Sequence, residues 1–83
     1  MRIFYSEKAI KQLQELPYST QKRIAEKMLF YASQENPLAF AKHLIDYREG
    51  GFRFRIGDHR ATFDVEKNTI YILTIKKRDK AYD

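Results

Sequence analysis

The apolar positions of this chain follow one period in the first half and another in the second. Ile10, Leu13 and Leu16 recur at helical spacing behind Ser6, a good N-cap, and Pro17 ends that run. Tyr18-Ser19-Thr20 offers a second N-cap. Beyond it Ile24, Met28 and Tyr31, with Ala25, Leu29 and Ala32, make an apolar face, while Lys22, Arg23, Glu26 and Lys27 occupy the other. Asn36-Pro37 stops this second helix. So short a connection predicts an antiparallel helical hairpin. Leu38 to Lys42 adds a helical turn.

The period then changes to two. Phe52, Phe54 and Ile56 alternate with Arg53 and Arg55, and Gly57-Asp58 has the Gly-first pattern of a type II′ hairpin turn. His59 to Val65 is the return strand, Glu66-Lys67-Asn68 turns again, and Thr69 to Ile75 is a strand rich in β-branched residues. That last strand is apolar on both sides, which predicts a central position covered on both faces. Arg2 to Tyr5 and His43 to Tyr47 complete the strands, with a turn at Gly50-Gly51. The result is an α+β fold, an N-terminal helical hairpin packed on one face of a largely antiparallel β-sheet. The other face is left open.

With 83 residues and no repeat or linker, the chain reads as a single domain, 1–83. It contains no cysteine, so disulfides and thiolate metal sites are excluded and a reducing cytoplasm is compatible. No targeting segment is visible, and no apolar run approaches the roughly 18 residues of a membrane span. A soluble cytoplasmic protein with no membrane partner is expected. Its net charge of +5 points to a polyanionic or acidic partner.

The placement of that charge says more. A two-residue loop at Gly57-Asp58 sets Ile56 opposite His59, Arg55 opposite Arg60, Phe54 opposite Ala61, Arg53 opposite Thr62 and Phe52 opposite Phe63. Opposed residues share a face. Phe52, Phe54, Ala61 and Phe63 therefore form the core side, and Arg53, Arg55, Arg60 and Thr62 the open side. Like charges placed directly opposite one another destabilise a sheet. The natural compensation is an anion, and guanidinium groups hold phosphate through forked hydrogen bonds. Asp64 is the carboxylate placed to neutralise part of the cluster.

After the last strand come Lys76, Lys77, Arg78 and Lys80, then Tyr82. Arg78 can reach the arginine face if sequential strands pair, and Tyr82 offers a ring for base stacking or a phenol for proton transfer. Lys76, Lys77 and Lys80, with Lys22, Arg23 and Lys27 on the second helix, are candidate RNA contacts. Lys8 and Lys11 on the first helix extend the same pattern. His59, opposite Ile56, belongs at the core-side rim. No cluster of His and carboxylates resembles a metal site, so no metal or cofactor is expected.

The run Phe52-Arg53-Phe54-Arg55-Ile56-Gly57-Asp58-His59-Arg60, a following strand, then Lys77-Arg78 and Tyr82, resembles the RelE/ParE superfamily of toxins from toxin–antitoxin systems. Ser6-Glu7-Lys8-Ala9 before a helical hairpin is similar too. The resemblance spans essentially the whole chain. It implies a RelE-type mRNA interferase, a metal-independent endoribonuclease that enters the ribosomal A site and leaves a 2′,3′-cyclic phosphate. It implies catalytic roles for Arg53, Arg55, Arg60, Arg78 and Tyr82. It also implies a RelB-like, acidic antitoxin as partner, beside the ribosome and mRNA. ParE-type members poison DNA gyrase instead and generally lack this set. A toxin retaining only antitoxin binding is a third reading. The basic strand pair is often lysine in the best-known type, and many relatives carry His at Lys77. Arginine, with a pKa above about 12, binds phosphate well but is a poor proton-transfer group.

Overall fold

The computed structural model describes residues 1–45 and 50–77. The chain begins with strand β1 (Arg2–Tyr5), followed by helices α1 (Glu7–Gln14) and α2 (Tyr18–Ser33). A single 3₁₀ turn (Pro37–Phe40) leads to strands β2 (Lys42–His43), β3 (Phe52–Ile56), β4 (His59–Glu66) and β5 (Thr69–Lys77).

Side chains of the first half settle where its helices start and stop. Ser6 caps α1 as expected: its Oγ accepts from the Ala9 N–H at 3.0 Å and donates to the Leu73 carbonyl at 2.9 Å, tying the helix to β5. The second cap departs from expectation. Pro17, not a hydroxyl of Ser19 or Thr20, is the N-cap of α2, and its carbonyl accepts from Thr20 and Gln21. Proline's fixed φ, here −55°, sets up a helix that starts at the next residue. Gln21 then donates to the Leu16 carbonyl at 2.8 Å, satisfying the end of α1. Helix α2 stops at Ser33, before Asn36-Pro37, and the Ser33 hydroxyl and Gln34 amide both donate to the Phe30 carbonyl.

The apolar faces are narrower than the spacing suggested. Ala9 is the buried residue of α1, with Leu13 and Leu16 packed behind it, and Ile10 lies on the flank at 41% exposure. On α2 Ile24, Met28, Tyr31 and Ala32 are buried, but Leu29 is 66% exposed. Leu29 stands five residues from Ile24, about 140° round the helix and off the contact stripe.

The sheet runs β1-β5-β4-β3-β2. β1 pairs parallel with β5 and every other neighbour is antiparallel. Both helices cover one face. Ala9 and the four α2 residues close over Phe54, Ile56, Ala61, Phe63, Ile70, Ile72 and Ile75. Within this core Tyr31 stacks on Phe54 at 4.4 Å and Phe54 on Phe63 at 4.3 Å. Each fully buried Phe contributes about 1.5–3 kcal/mol through transfer from water.

Three strand expectations need correction. β2 ends at His43 rather than continuing through Leu44 and Ile45; Asp46 and Tyr47 lie outside the described residues. The Leu44 N–H still donates to the Gly51 carbonyl at 2.8 Å, the next partner in the same register, and the pairing goes no further among the described residues. β4 includes Glu66, so the next turn is the two residues Lys67-Asn68, whose φ of 47° and 62° are those of a type I′ loop. β5 is paired on both sides, yet Tyr71 and Leu73 on the open face are only half-buried.

Candidate phosphate-binding site

The hairpin register is the one the turn requires. Phe52 faces Phe63, Arg53 faces Thr62, Phe54 faces Ala61, Arg55 faces Arg60 and Ile56 faces His59. Gly57 has φ 59° and Asp58 does not share the positive sign, as a type II′ turn demands.

The next strand extends the pattern. Arg60 lies opposite Lys76 and Thr62 opposite Thr74, while Phe63 lies opposite Ile72. Leu73 is therefore an extra residue, a β-bulge between two registers. Strict alternation from Ile70 and Ile72 would put Thr74 and Lys76 in the core and Ile75 outside. The bulge reverses this: Ile75 joins the core at 4% exposure and Lys76 moves to the open face. Two side chains, one from the α1 cap and one from the helix itself, secure the irregular stretch. Ser6 donates to the Leu73 carbonyl, and Gln12 Oε1 accepts from the Ile75 N–H at 2.7 Å.

Arg55, Arg60 and Lys76 thus form one row across three strands, with Lys42, Arg53, Thr62 and Thr74 in the row beside it. Adjacent strands lie about 4.8 Å apart, so three cationic stems stand within about 10 Å. Arg55 is exposed, Arg53 and Lys76 are half-buried, and Arg60 is half-buried with its Nε enclosed. Thr62 and Thr74, each 3% exposed, hydrogen-bond to each other through their hydroxyls and form the floor. Asp64, the carboxylate placed to neutralise part of the cluster, accepts the Gly51 N–H at its Oδ1, at 2.7 Å. The row can hold a phosphodiester through several donors at once.

The remaining candidates divide. Lys76 was expected only as a tail contact, and the bulge makes it part of the row. The spacing of Ile70, Ile72 and Ile75 carried that signal, since two and then three residues separate the core positions. Lys22, Arg23 and Lys27 do not join the row, because α2 packs on the opposite face. Lys27 lies over the rings of Phe30 and Tyr31, at 5.2 and 5.6 Å. Lys77 stands opposite His59 on the helix side. His59 is half-buried at the rim, and His43 stacks on Phe52 at 5.0 Å. Arg78, Lys80 and Tyr82 lie outside the described residues. Burial raises the Tyr5 and Tyr31 pKa values above the ordinary tyrosine range; both belong to the helix side, where Tyr31 donates to the Arg55 carbonyl at 3.4 Å. Among the described residues no group of three His, Asp or Glu converges as a metal site, and no helix is long and apolar enough to cross a membrane.

Residues 3–82 match the family described as the ParE toxin of the type II toxin–antitoxin system parDE. The chain belongs to this family, within the RelE/ParE superfamily. It is thus a toxin of the type II kind. The RelBE2 toxin–antitoxin complex of Mycobacterium tuberculosis contains a chain of the same fold, with TM-score 0.80 and 25% identity over 93% of this chain and 96% of that one. The archaeal RelE–RelB complex of Pyrococcus horikoshii OT3 gives TM-score 0.75 and 26% identity, over 95% and 96%. The RelB–RelE complex of Methanococcus jannaschii, at TM-score 0.65 and 24% identity over 96% and 95%, shares the fold. None of the curated proteins compared with the sequence matches it.

Proposed function

We propose that this toxin is a ribosome-dependent mRNA endoribonuclease that works without a metal. The observation that carries the reading is the row Arg55–Arg60–Lys76, with Arg53 alongside, on the sheet face away from the helices. In the reaction the ribose 2′-hydroxyl loses its proton and its oxygen bonds to the adjacent phosphorus. The P–O5′ bond breaks, the departing 5′-oxygen takes up a proton, and a 2′,3′-cyclic phosphate remains. Negative charge grows on the non-bridging oxygens in between, and preorganised cations stabilise it. Arg55, Arg60 and Arg78 hold the phosphate, Arg53 and Lys76 support them, and Tyr82 stacks on a base or transfers a proton. Lys80 adds an RNA contact. The ribosome supplies part of the orientation, which places the activity in the cytoplasm. A cognate RelB-like antitoxin masks the basic face, in line with the solved relatives, which are complexes with antitoxins.

The family match favours a second reading, a gyrase inhibitor of the ParE type. One comparison separates them: express the wild type, Arg60→Ala and Arg78→Ala in bacteria, map message ends on translating ribosomes, and assay gyrase supercoiling. Cleavage by the wild type, with cyclic-phosphate ends and lost in both variants, is the expected result. Gyrase inhibition with intact messages sinks the nuclease reading.

A further inference from the structure

The open face does not account for the cations at the tip of the β3–β4 hairpin. Arg23 of α2 reaches that tip from the helix side: a Cβ placed on Gly57 would stand 3.3 Å from its Nη1 and 3.8 Å from its Cζ. Ile56 and His59, the pair that flanks the turn, point to the same helix side, and His59 is directly opposite Lys77 on β5. Ile56 is buried, so His59, Lys77 and Arg23 form the rim above it. The end of the sheet thus carries cations on both faces, Arg55, Arg60 and Lys76 on one and Arg23 and Lys77, beside His59, on the other. Asp58, exposed in the turn, stands between them.

A row of charge on a lone helix face is ordinary solvation. Here three elements contribute to one edge, and that edge adjoins the proposed phosphate row around a two-residue turn. We propose that Arg23, His59 and Lys77 form a second phosphodiester site, which takes an RNA backbone as it passes round the hairpin tip. Arg23 and Lys77 supply charge and N–H donors, and the imidazole supplies one further N–H. The site rests on the reading of this toxin as an RNA-cleaving one. Its ligand is RNA phosphate, from either the message beyond the cut or ribosomal RNA beside it.

The test measures binding of the full-length toxin to a short oligouridine strand and to vacant ribosomes, across roughly 50–200 mM salt. The variants are Arg23→Gln, Lys77→Gln, their combination, and Arg60→Gln. Each lost phosphate contact on a single strand lowers the slope of log affinity against log salt by about 0.7. The combined variant is expected to lose about 1.4 of slope and to bind roughly tenfold or more weakly. Weakening on both ligands assigns the site to the message, and weakening on ribosomes alone assigns it to ribosomal RNA; either result supports it. An unchanged slope on both ligands in the combined variant, with Arg60→Gln still weakened, overturns the site and leaves the nuclease reading standing. If Arg60→Gln is also unaffected, or the wild type binds neither ligand, both fall. A loss confined to Arg23→Gln and accompanied by a lower melting temperature counts against the site, because it marks only the contact with the turn.

Discussion

Thr62 and Thr74 sit under the cationic row, and their hydroxyls are buried with each other as partners. Thr62→Val removes one hydroxyl and keeps the side-chain shape. It leaves the Thr74 hydroxyl buried, and an unsatisfied buried polar group costs about 1–3 kcal/mol. A domain of 83 residues has a total stability of roughly 4–12 kcal/mol, so the change takes a large share. At this size each kcal/mol moves the melting temperature by about 4–8 °C, which predicts a fall of roughly 5–20 °C. Thr74→Val has the same cost for the same reason. The double variant loses both hydroxyls at once and puts methyl against methyl, which is close to neutral. The expected double-mutant cycle is strongly non-additive: the double variant lies within about 1 kcal/mol of wild type, and the coupling is about 1–3 kcal/mol. Urea unfolding of the four proteins, with comparison of m-values, measures it. Additive single losses would refute the reasoning, because they would mean that each hydroxyl stabilises the fold through a separate contact.

Gly50 has φ 112°, and a Cβ there would stand 2.8 Å from the Phe63 carbonyl oxygen and 3.1 Å from Leu73 Cδ1. Gly50→Ala is expected to cost about 2–4 kcal/mol, read as a lower urea midpoint, because backbone strain and overlap with β4 add. Tyr5 and Tyr31 keep their protons more tightly when folded than when unfolded. Stability from this source is therefore whole below the ordinary tyrosine value near 10 and declines as pH rises past it. Tyr5→Phe combined with Tyr31→Phe is expected to flatten the alkaline limb of a melting-temperature profile; an unchanged limb would show that ionisation of these phenols is not what limits the fold. Arg60→Ala is expected to lower the single-turnover cleavage rate on programmed ribosomes about 10²–10³-fold, as loss of one transition-state donor does. A loss below about threefold would remove Arg60 from the phosphate.

The arginine hairpin was legible in the sequence because its register depends on little beyond itself. A two-residue loop fixes which residues oppose, and Phe52, Phe54 and Ile56 fix which side is buried. Other features depend on partners far along the chain. β1 lies parallel to β5, a pairing made by the two ends of the described chain, and no local pattern announces it. Which residue of α1 faces inward is decided by the sheet beneath, so Ala9 is buried and Ile10 is not. The hydroxyls of Ser19 and Thr20 look like caps in isolation, but Pro17 precedes them with its φ already set.

The bulge at Leu73 was the least legible feature and is the one that completes the row. Without it the core would need to accept Lys76 and expose Ile75. The apolar demand of Ile70, Ile72 and Ile75 can be met only by one extra residue between Ile72 and Ile75. The backbone groups this disturbs are met by Ser6, the N-cap of α1, and by Gln12, a polar residue between the apolar positions of that helix. The same local break in β5 therefore closes the core on one face and aligns Lys76 with Arg55 and Arg60 on the other. Because Arg60 is paired with Arg55 on one side and with Lys76 on the other, the stems cannot separate without breaking ladder hydrogen bonds. Like charges that would drift apart on a loop are held in one row here by the ladder beneath them.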